Sequence, residues 1–428
     1  MTTILKNARL IDPEAGTAFD GSVVIAGGRI AQIVSAGKRL PESAETIDCQ
    51  GHVLAPGIVD IGVKVCEPGE RHKESFRTAG AAAASGGVTT IVTRPDTEPA
   101  IDTPEVLEFV HRRAVSDSVV NVLPMAALTK ARQGREMAEI GFLQDAGAVA
   151  FTDCDAVVHD PKVFARCLTY ASSLGALVIG HVQDPQMSAG AAATGGALAA
   201  RMGLPAVSPM AERMGLERDL ALVEMTQASY HADQVSTAAA LPALARAKEA
   251  GLKVTAGVSI HHLTLTEQDI EGYRTFFKVK PPLRTETDRR AMVEALASGL
   301  IDVVSSMHTP QDEESKRLPF DLAASGAVAL ETLLPAALSL VHAGDIDLPK
   351  LWRAMSLNPA RLAGSEAGRL AEGAPADLVL FDPDHTFVMD RYHLVSKTKN
   401  TPFDERPMQG AVLRTFVAGQ EVYSRPKP

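Results

Sequence analysis

The middle of this chain alternates short apolar runs with helical stretches, and that alternation constrains the fold more than any single motif. Apolar runs at 89–93, 119–123, 148–151, 176–180, 253–258 and 302–306 have the length and character of buried strands. Helical patterns at 75–85, 104–115, 241–250 and 287–297 lie between them. Repeated strand–helix units predict a parallel sheet with helices packed outside it. About eight such units close a (β/α)8 barrel, whose sites lie at the carboxyl ends of the strands.

Both ends of the chain read differently. Residues 4–11 alternate, Asp12 and Pro13 punctuate, and Gly27-Gly28 separates two further strand-like runs. The same character returns at 376–382 and 410–419. The expected fold class is therefore α/β: a TIM-type (β/α)8 barrel over 55–364, with a small β-sandwich domain formed by both termini, 1–54 and 365–428. The stretch 188–214, rich in Ala, Gly, Met and Pro, reads as an irregular loop or short helix over the barrel mouth. The Arg–Glu pairs around 212–217 read as a solvated helix face.

A net charge of -10 with no basic cluster argues against a nucleic-acid or anionic-membrane partner. No apolar run reaches the roughly 20 residues that span a bilayer. The opening residues lack a signal-peptide core. The four cysteines, Cys49, Cys66, Cys154 and Cys167, form no C-x-x-C pair, which excludes a zinc knuckle or thioredoxin-type site. So few cysteines in so long a chain lead us to expect reduced thiols and a cytoplasmic location, with Cys66 and Cys154 as inert buried thiols.

A series of motifs stands in fixed order along the chain. It begins with Pro56-Gly57-Ile58-Val59-Asp60-Ile61-Gly62-Val63-Lys64-Val65-Cys66 and continues through Ser85-Gly86-Gly87-Val88-Thr89-Thr90 and Pro95-Asp96-Thr97-Glu98-Pro99. It then runs through Lys278-Val279-Lys280-Pro281-Pro282-Leu283-Arg284, His308-Thr309-Pro310-Gln311, Leu330-Glu331-Thr332 and Asn358-Pro359-Ala360-Arg361. Each is weak alone. In this order the series resembles the dihydroorotase family of the amidohydrolase superfamily, and more closely the inactive (pseudo-)dihydroorotases that accompany bacterial aspartate carbamoyltransferase.

The resemblance implies a zinc-activated water and an aspartate that shuttles its proton. It also implies where those groups belong, and this chain departs from the pattern there. The two histidines of the opening His-x-His map to Gly62 and Lys64. The next ligand region, 150–153, offers only Asp153. His181 stands at a histidine position, Gln234 replaces another, and Met307 stands at the catalytic aspartate. A thioether neither carries the proton nor suits hard Zn²⁺. Among substrate contacts, the family arginine is Cys66, an asparagine is Asp96, a second asparagine is Lys280, and His308 remains. A histidine is replaced by Gln311 and a glycine by Ala329.

The expected function is therefore a dihydroorotase homologue of pyrimidine biosynthesis that does not catalyse. It would have no cofactor, would form a homo-oligomer, and would serve an aspartate carbamoyltransferase-like subunit as a structural partner. The alternative is an active zinc-dependent cyclic-amide hydrolase, with Asp153, His181 and His308 forming a lean centre and zinc at low occupancy. A third reading is a small-molecule sensor using Lys64, Lys280 and Arg284 as anion contacts. Lys64 is further expected either to neutralise Asp153 at the vacated zinc position or simply to reach solvent. His261 and His262 are expected to be structural.

Overall fold

A computed structural model of the chain describes residues 2–41 and 45–426. Positions 1, 42–44, 427 and 428 of the expected end domain lie outside them. The amino-terminal strands are β1 (Thr2–Asp12), β2 (Thr17–Ala26), β3 (Arg29–Ser35), β4 (Glu45–Asp48) and β5 (Val53–Pro56). Then come β6 (Ile58–Val63), β7 (Val88–Thr93), β8 (Asn121–Pro124), β9 (Leu177–His181), β10 (Ala193–Thr194), β11 (Ala206–Val207), β12 (Ser229–Asp233), β13 (Val254–Ser259) and β14 (Val303–Ser305). The chain ends with β15 (Leu378–Val388), β16 (Pro407–Val417) and β17 (Gln420–Ser424).

The barrel is built from parallel staves. β6, β7 and β8 pair in order, as do β9, β12, β13 and β14. Phe151 joins the two sets through parallel bridges to Ala126 and Val178. The apolar run at 148–151 thus serves as the fourth stave, although only Phe151 has ladder geometry on both sides. β14 meets β6 to close the ring, and Asp60 stitches that seam. It accepts the Ser306 backbone N–H at 2.8 Å and the Ser306 hydroxyl. The Lys64 N–H then donates to the His308 carbonyl at 2.9 Å, just beyond the strands.

The two chain ends form one continuous sheet in the order β17-β16-β15-β5-β1-β2-β3, with β4 on β1. Arg29 at the start of β3 bridges to Pro375, just ahead of β15, so the sheet curls back on itself around its own apolar core. β5 pairs with both β1 and β15, and the chain passes from this sheet to the barrel strand β6 at Gly57. Trp352 fastens the two parts together. Its indole N–H donates to the Pro56 carbonyl at 2.7 Å, and its ring stacks on Phe381 at 4.9 Å.

Local chemistry explains the helix limits. Ser75 caps Phe76–Ser85 and shares a capping box with Thr78. The helix ends at Gly86, where a Cβ would sit 2.0 Å from the Leu330 carbonyl oxygen. Two of the motifs singled out above therefore meet at this close approach, which only glycine allows.

One expectation needs correction. The 188–214 stretch carries a short helix, Ala197–Met202, one of the two forms expected of it, together with the β10–β11 pair and the start of the helix Met210–Thr226. Glu212 on that last helix is fully buried, not solvated. Its carboxylate accepts the backbone N–H groups of Ser236 and Thr237, both at 2.8 Å, and the Gln183 amide at 3.0 Å. Arg284 pairs with it at 3.4 Å. Only the Arg213–Glu217 pair, one turn further on, faces solvent.

Glu212 thus binds three elements behind the carboxyl end of β12. Removing one partner of a buried pair leaves the other charge uncompensated, at about 3–5 kcal/mol. We expect Glu212→Ala to lose stability on that scale in urea unfolding, whereas Arg213→Ala on the exposed pair changes it by less than about 1 kcal/mol.

Candidate functional site

Register places the site residues. Val63 of β6 pairs with Thr93 of β7, and the Arg94 N–H donates to the Val63 carbonyl. Lys64 and Arg94 therefore leave their strands side by side at the carboxyl end of the barrel. Asp233 of β12 pairs with His181 of β9 at the same level. Phe151 leads into Asp153, Cys154 and Asp155 between them.

Arg94 dominates this ring. Its guanidinium grips Asp96 with two bonds, Nε to Oδ1 at 3.1 Å and Nη2 to Oδ2 at 2.8 Å. The same Nη2 lies 4.0 Å from Asp155. Lys64 reaches Asp96 at 3.2 Å and Glu70 at 3.4 Å. Asp155 also takes Lys280 at 3.1 Å and Arg132 at 3.0 Å. Each of these carboxylates is thus matched by a cation carried on the chain itself. Burial works to raise Asp96, but Arg94 and then Lys64 outweigh it and hold the carboxyl below its usual range. The same contest, won by Arg94 and Lys280, depresses Asp155.

The space at the centre is nearly closed. Gly62, Arg94, Cys154, Asp155, Asp233 and Gln234 are among the residues that bound a cavity of about 10 Å³, which holds one water at most. Gly62 lies at φ +91°, and a Cβ there would stand 2.7 Å from the Met307 sulfur. The Met307 side chain thus fills the space beside Gly62. Gln234 donates to Asp233 at 3.3 Å. Burial lifts Asp233 to about 6, with Arg94 opposing, and raises the Cys154 thiol to about 12.

The residual candidates do not converge. Asp153 turns away from the cavity and accepts the Leu128 and Thr129 N–H groups, both at 3.0 Å, and the Thr129 hydroxyl. It is not the partner of Lys64, correcting that expectation. His181 is buried with neither ring nitrogen bonded, and burial, then Lys280, lowers it to about 3. His308 is fully buried beneath the mouth. Its Nδ1 faces the Ala329 N–H at 3.2 Å, and its Nε2 lies 3.5 Å from Glu74. Asp153, His181 and His308 form no centre, and among the described residues no three His, Cys, Asp or Glu side chains are placed to hold a metal ion. Zinc, implied by the resemblance, does not fit this donor set, since a catalytic zinc takes three protein ligands.

The pocket positions fare likewise. Cys66 is buried and its thiol is raised to about 12 by burial. Asp96 does not project bare charge toward a ligand, because Arg94 and Lys64 neutralise it. Lys280 is tied to Asp155, and Arg284 to Glu212, so the three cations of the sensor reading are all engaged within the chain. His262 bonds Ser259 at 3.1 Å, and His261 stacks on Phe403, both in structural roles. Sequence reasoning passed over Arg94, Arg132, Asp155 and Asp233. The available signal was Arg94 itself, a cation directly before the quoted Pro95-Asp96 and one residue past a strand end.

Comparisons with known proteins agree with the fold. Residues 51–240 match the family described as Dihydro-orotase-like. The chain is 40% identical over 423 residues to a dihydroorotase of Wolbachia sp. subsp. Drosophila simulans (strain wRi), covering 98% of this chain and 95% of that one. It is 37% identical over 423 residues to a dihydroorotase of Syntrophus aciditrophicus (strain SB), covering 99% of each. Among solved structures, the L-hydantoinase (dihydropyrimidinase) of Arthrobacter aurescens superposes with a TM-score of 0.89 at 26% identity, over 99% of this chain and 96% of that one. The dihydropyrimidinase of Brevibacillus agri NCHU1002, at 24% identity and a TM-score of 0.85 over 99% and 95%, shares the fold.

Two measurements follow from the buried charges. Arg94→Met leaves buried Asp96 with Lys64 alone and should lower unfolding free energy by up to about 3–5 kcal/mol, the cost of a fully uncompensated charge; Arg94→Lys, which keeps the charge without the fork, should recover part of it. Burial also holds His181, His231 and His261 at about 3 and His262 at about 4. The unfolded chain protonates them near 6.5, so each removes stability as pH falls from there toward its folded value. Asp60 and Asp233, raised to about 6 by burial, act in the opposite sense between about 6 and 3.8. Burial also raises Asp153, Asp219, Glu267 and Asp377 in the same sense as Asp60 and Asp233, but less far, so the four strongly depressed imidazoles set the sign of the net slope, a loss. The urea midpoint should therefore fall from pH 7 to 5, and less steeply in His181→Gln; a flat profile would contradict this.

Proposed function

This chain belongs to the dihydroorotase family, and from that premise we propose that it has given up hydrolysis and acts as a structural partner of an aspartate carbamoyltransferase-like subunit in pyrimidine synthesis. The observation that carries the proposal is the Arg94 guanidinium, buried and forked onto Asp96 beside the cavity where the family activates water.

The chemistry supports the reading. Ring-amide hydrolysis needs a nucleophile ionised near neutral pH, and a divalent metal supplies it by lowering the pKa of bound water to about 7. A guanidinium carries one delocalised charge and offers no coordination position. Met307 has no proton to exchange at the acid–base position. Asp233 has a raised affinity for protons but is bonded by Gln234 and opens onto space for one water. Small-molecule sites run to about 300–1,000 Å³, and a cyclic amide has no room at this centre.

A scaffold role needs only the intact fold, and the fold's own fastenings, at Asp60, Glu212 and Trp352, are all in place. Homo-oligomerisation and a cytoplasmic location belong to the same proposal. Among the described residues no helix is long and apolar enough to cross a membrane.

Protein purified without chelator and then given zinc should turn over neither dihydroorotate nor carbamoyl aspartate and should hold far less than one metal per chain. Robust turnover abolished by a chelator would overturn the loss of hydrolysis. Tagged chain recovered from its own host should carry carbamoyltransferase activity with it; recovery free of that activity would remove the partner.

A further inference from the structure

A second cavity, of about 220 Å³, lies between the segment that follows β14 and the segment that joins β15 to β16. Its lining carries four cations, Lys316, Arg317, Arg391 and Lys399, against two acids, Asp312 and Glu313. That excess of two positive charges stands out on a chain whose net charge is -10.

The excess is concentrated on the lysines. Lys316 is 5% exposed, and its ammonium donates to the Ala324 carbonyl at 2.7 Å and the Thr275 carbonyl at 3.1 Å. Lys399 donates to the Leu394 carbonyl at 2.6 Å and the Ser396 carbonyl at 2.7 Å. Carbonyl dipoles solvate these charges, and among the described residues neither ammonium has a carboxylate partner. The acids of the lining are already occupied: Glu313 pairs with Arg317 at 2.7 Å, and Asp312 accepts the Ser315 N–H at 2.7 Å. Desolvation, then the nearby Lys278, lowers Lys316 to about 7, as expected of a buried cation lacking a counter-ion.

The fourth cation is held in place for recognition. The Arg391 guanidinium lies 5.3 Å from the Phe276 ring centre and 4.8 Å from that of Tyr392, and it bonds the Tyr392 hydroxyl at 2.7 Å. Its Nε also lies 3.6 Å from Asp404, a carboxylate it shares with Arg274 at 2.5 Å, so two guanidinium charges there meet one acid. A planar fork beside lysine point charges is a combination suited to tetrahedral oxyanions.

We propose that this cavity binds a small dianion of the phosphate class, held by Arg391, Arg317 and Lys399 and charge-balanced by Lys316 beneath it. The volume accepts inorganic phosphate or a small phosphate monoester. This site does not depend on whether the barrel hydrolyses a ring amide.

The test is thermal unfolding of the full chain at constant ionic strength, titrated with inorganic phosphate, sulfate, succinate or chloride. Phosphate and sulfate should raise the melting temperature saturably, and chloride should not. Arg391→Gln and Lys399→Gln should each weaken the phosphate midpoint at least tenfold, while Lys350→Gln, on a surface pair elsewhere, should leave it unchanged. Lys399→Gln removes bonds to two carbonyls and could destabilise the fold; Arg391→Gln alone then decides. A phosphate response no larger than that of chloride, one undiminished in Arg391→Gln, or saturation by succinate alone would overturn the proposal.

Discussion

The fork of Arg94 on Asp96 is the interaction around which the mouth of this barrel is arranged. A buried carboxylate is tolerable only when matched by a cation and hydrogen bonds. In a metal-dependent barrel a divalent ion supplies much of that match. Here the chain supplies it: Arg94 and Lys64 for Asp96, Lys280 and Arg132 for Asp155. The ring of strand ends stays close to neutral without any ion. Asp96, which looks on the sequence like an intrusion of negative charge, is the anchor of the replacement.

Gly62 and Met307 are also packed against one another. Met307 can lie across the barrel because Gly62 has no side chain, and Gly62 leaves no hole because Met307 fills it. Neither change needs a metal to hold its neighbour in place. Closure of the barrel is equally independent of one. Asp60 binds Ser306 across the seam, and the Lys64 backbone bonds His308 whatever its side chain does. The strand frame is therefore held without help from any ion at this centre, and it superposes on that of the Arthrobacter aurescens hydantoinase with a TM-score of 0.89.

Much of the frame was legible in the sequence because periodicity reports burial. The runs at 89–93 and 302–306, and the helix after Ser75, follow from local pattern, and the structure trims the second run to Val303–Ser305. The fourth stave was legible as apolar sequence but not as a ladder, since only Phe151 bridges both neighbours. Glu212 was misread for a specific reason: Arg213 and Glu217 form a solvated pair on one face, and the residue beside them points the other way. At the site, the ion pairs of Arg94, Asp155 and Lys280 were not legible, because these residues leave three different strand regions and meet only when the barrel closes. Asp153 had the right chemistry, but two backbone N–H groups of the loop after β8 claim its carboxylate.

Charge, more than ligand count, decides what this centre can become. At an effective dielectric of about 20, unit charges 4 Å apart interact by roughly 4 kcal/mol, and a divalent ion beside one guanidinium meets roughly twice that in repulsion. Arg94, Lys64 and Lys280 all stand at this mouth. Restoring a histidine at Gly62 would first displace the Met307 sulfur and would still leave those cations in possession of the carboxylates. Conversely, deleting Arg94 alone uncovers acids without supplying the imidazoles that would turn them into a metal site. The present arrangement is thus self-consistent in both directions: the cations neutralise the acids, the acids justify burying the cations, and a divalent ion has no charge left to balance.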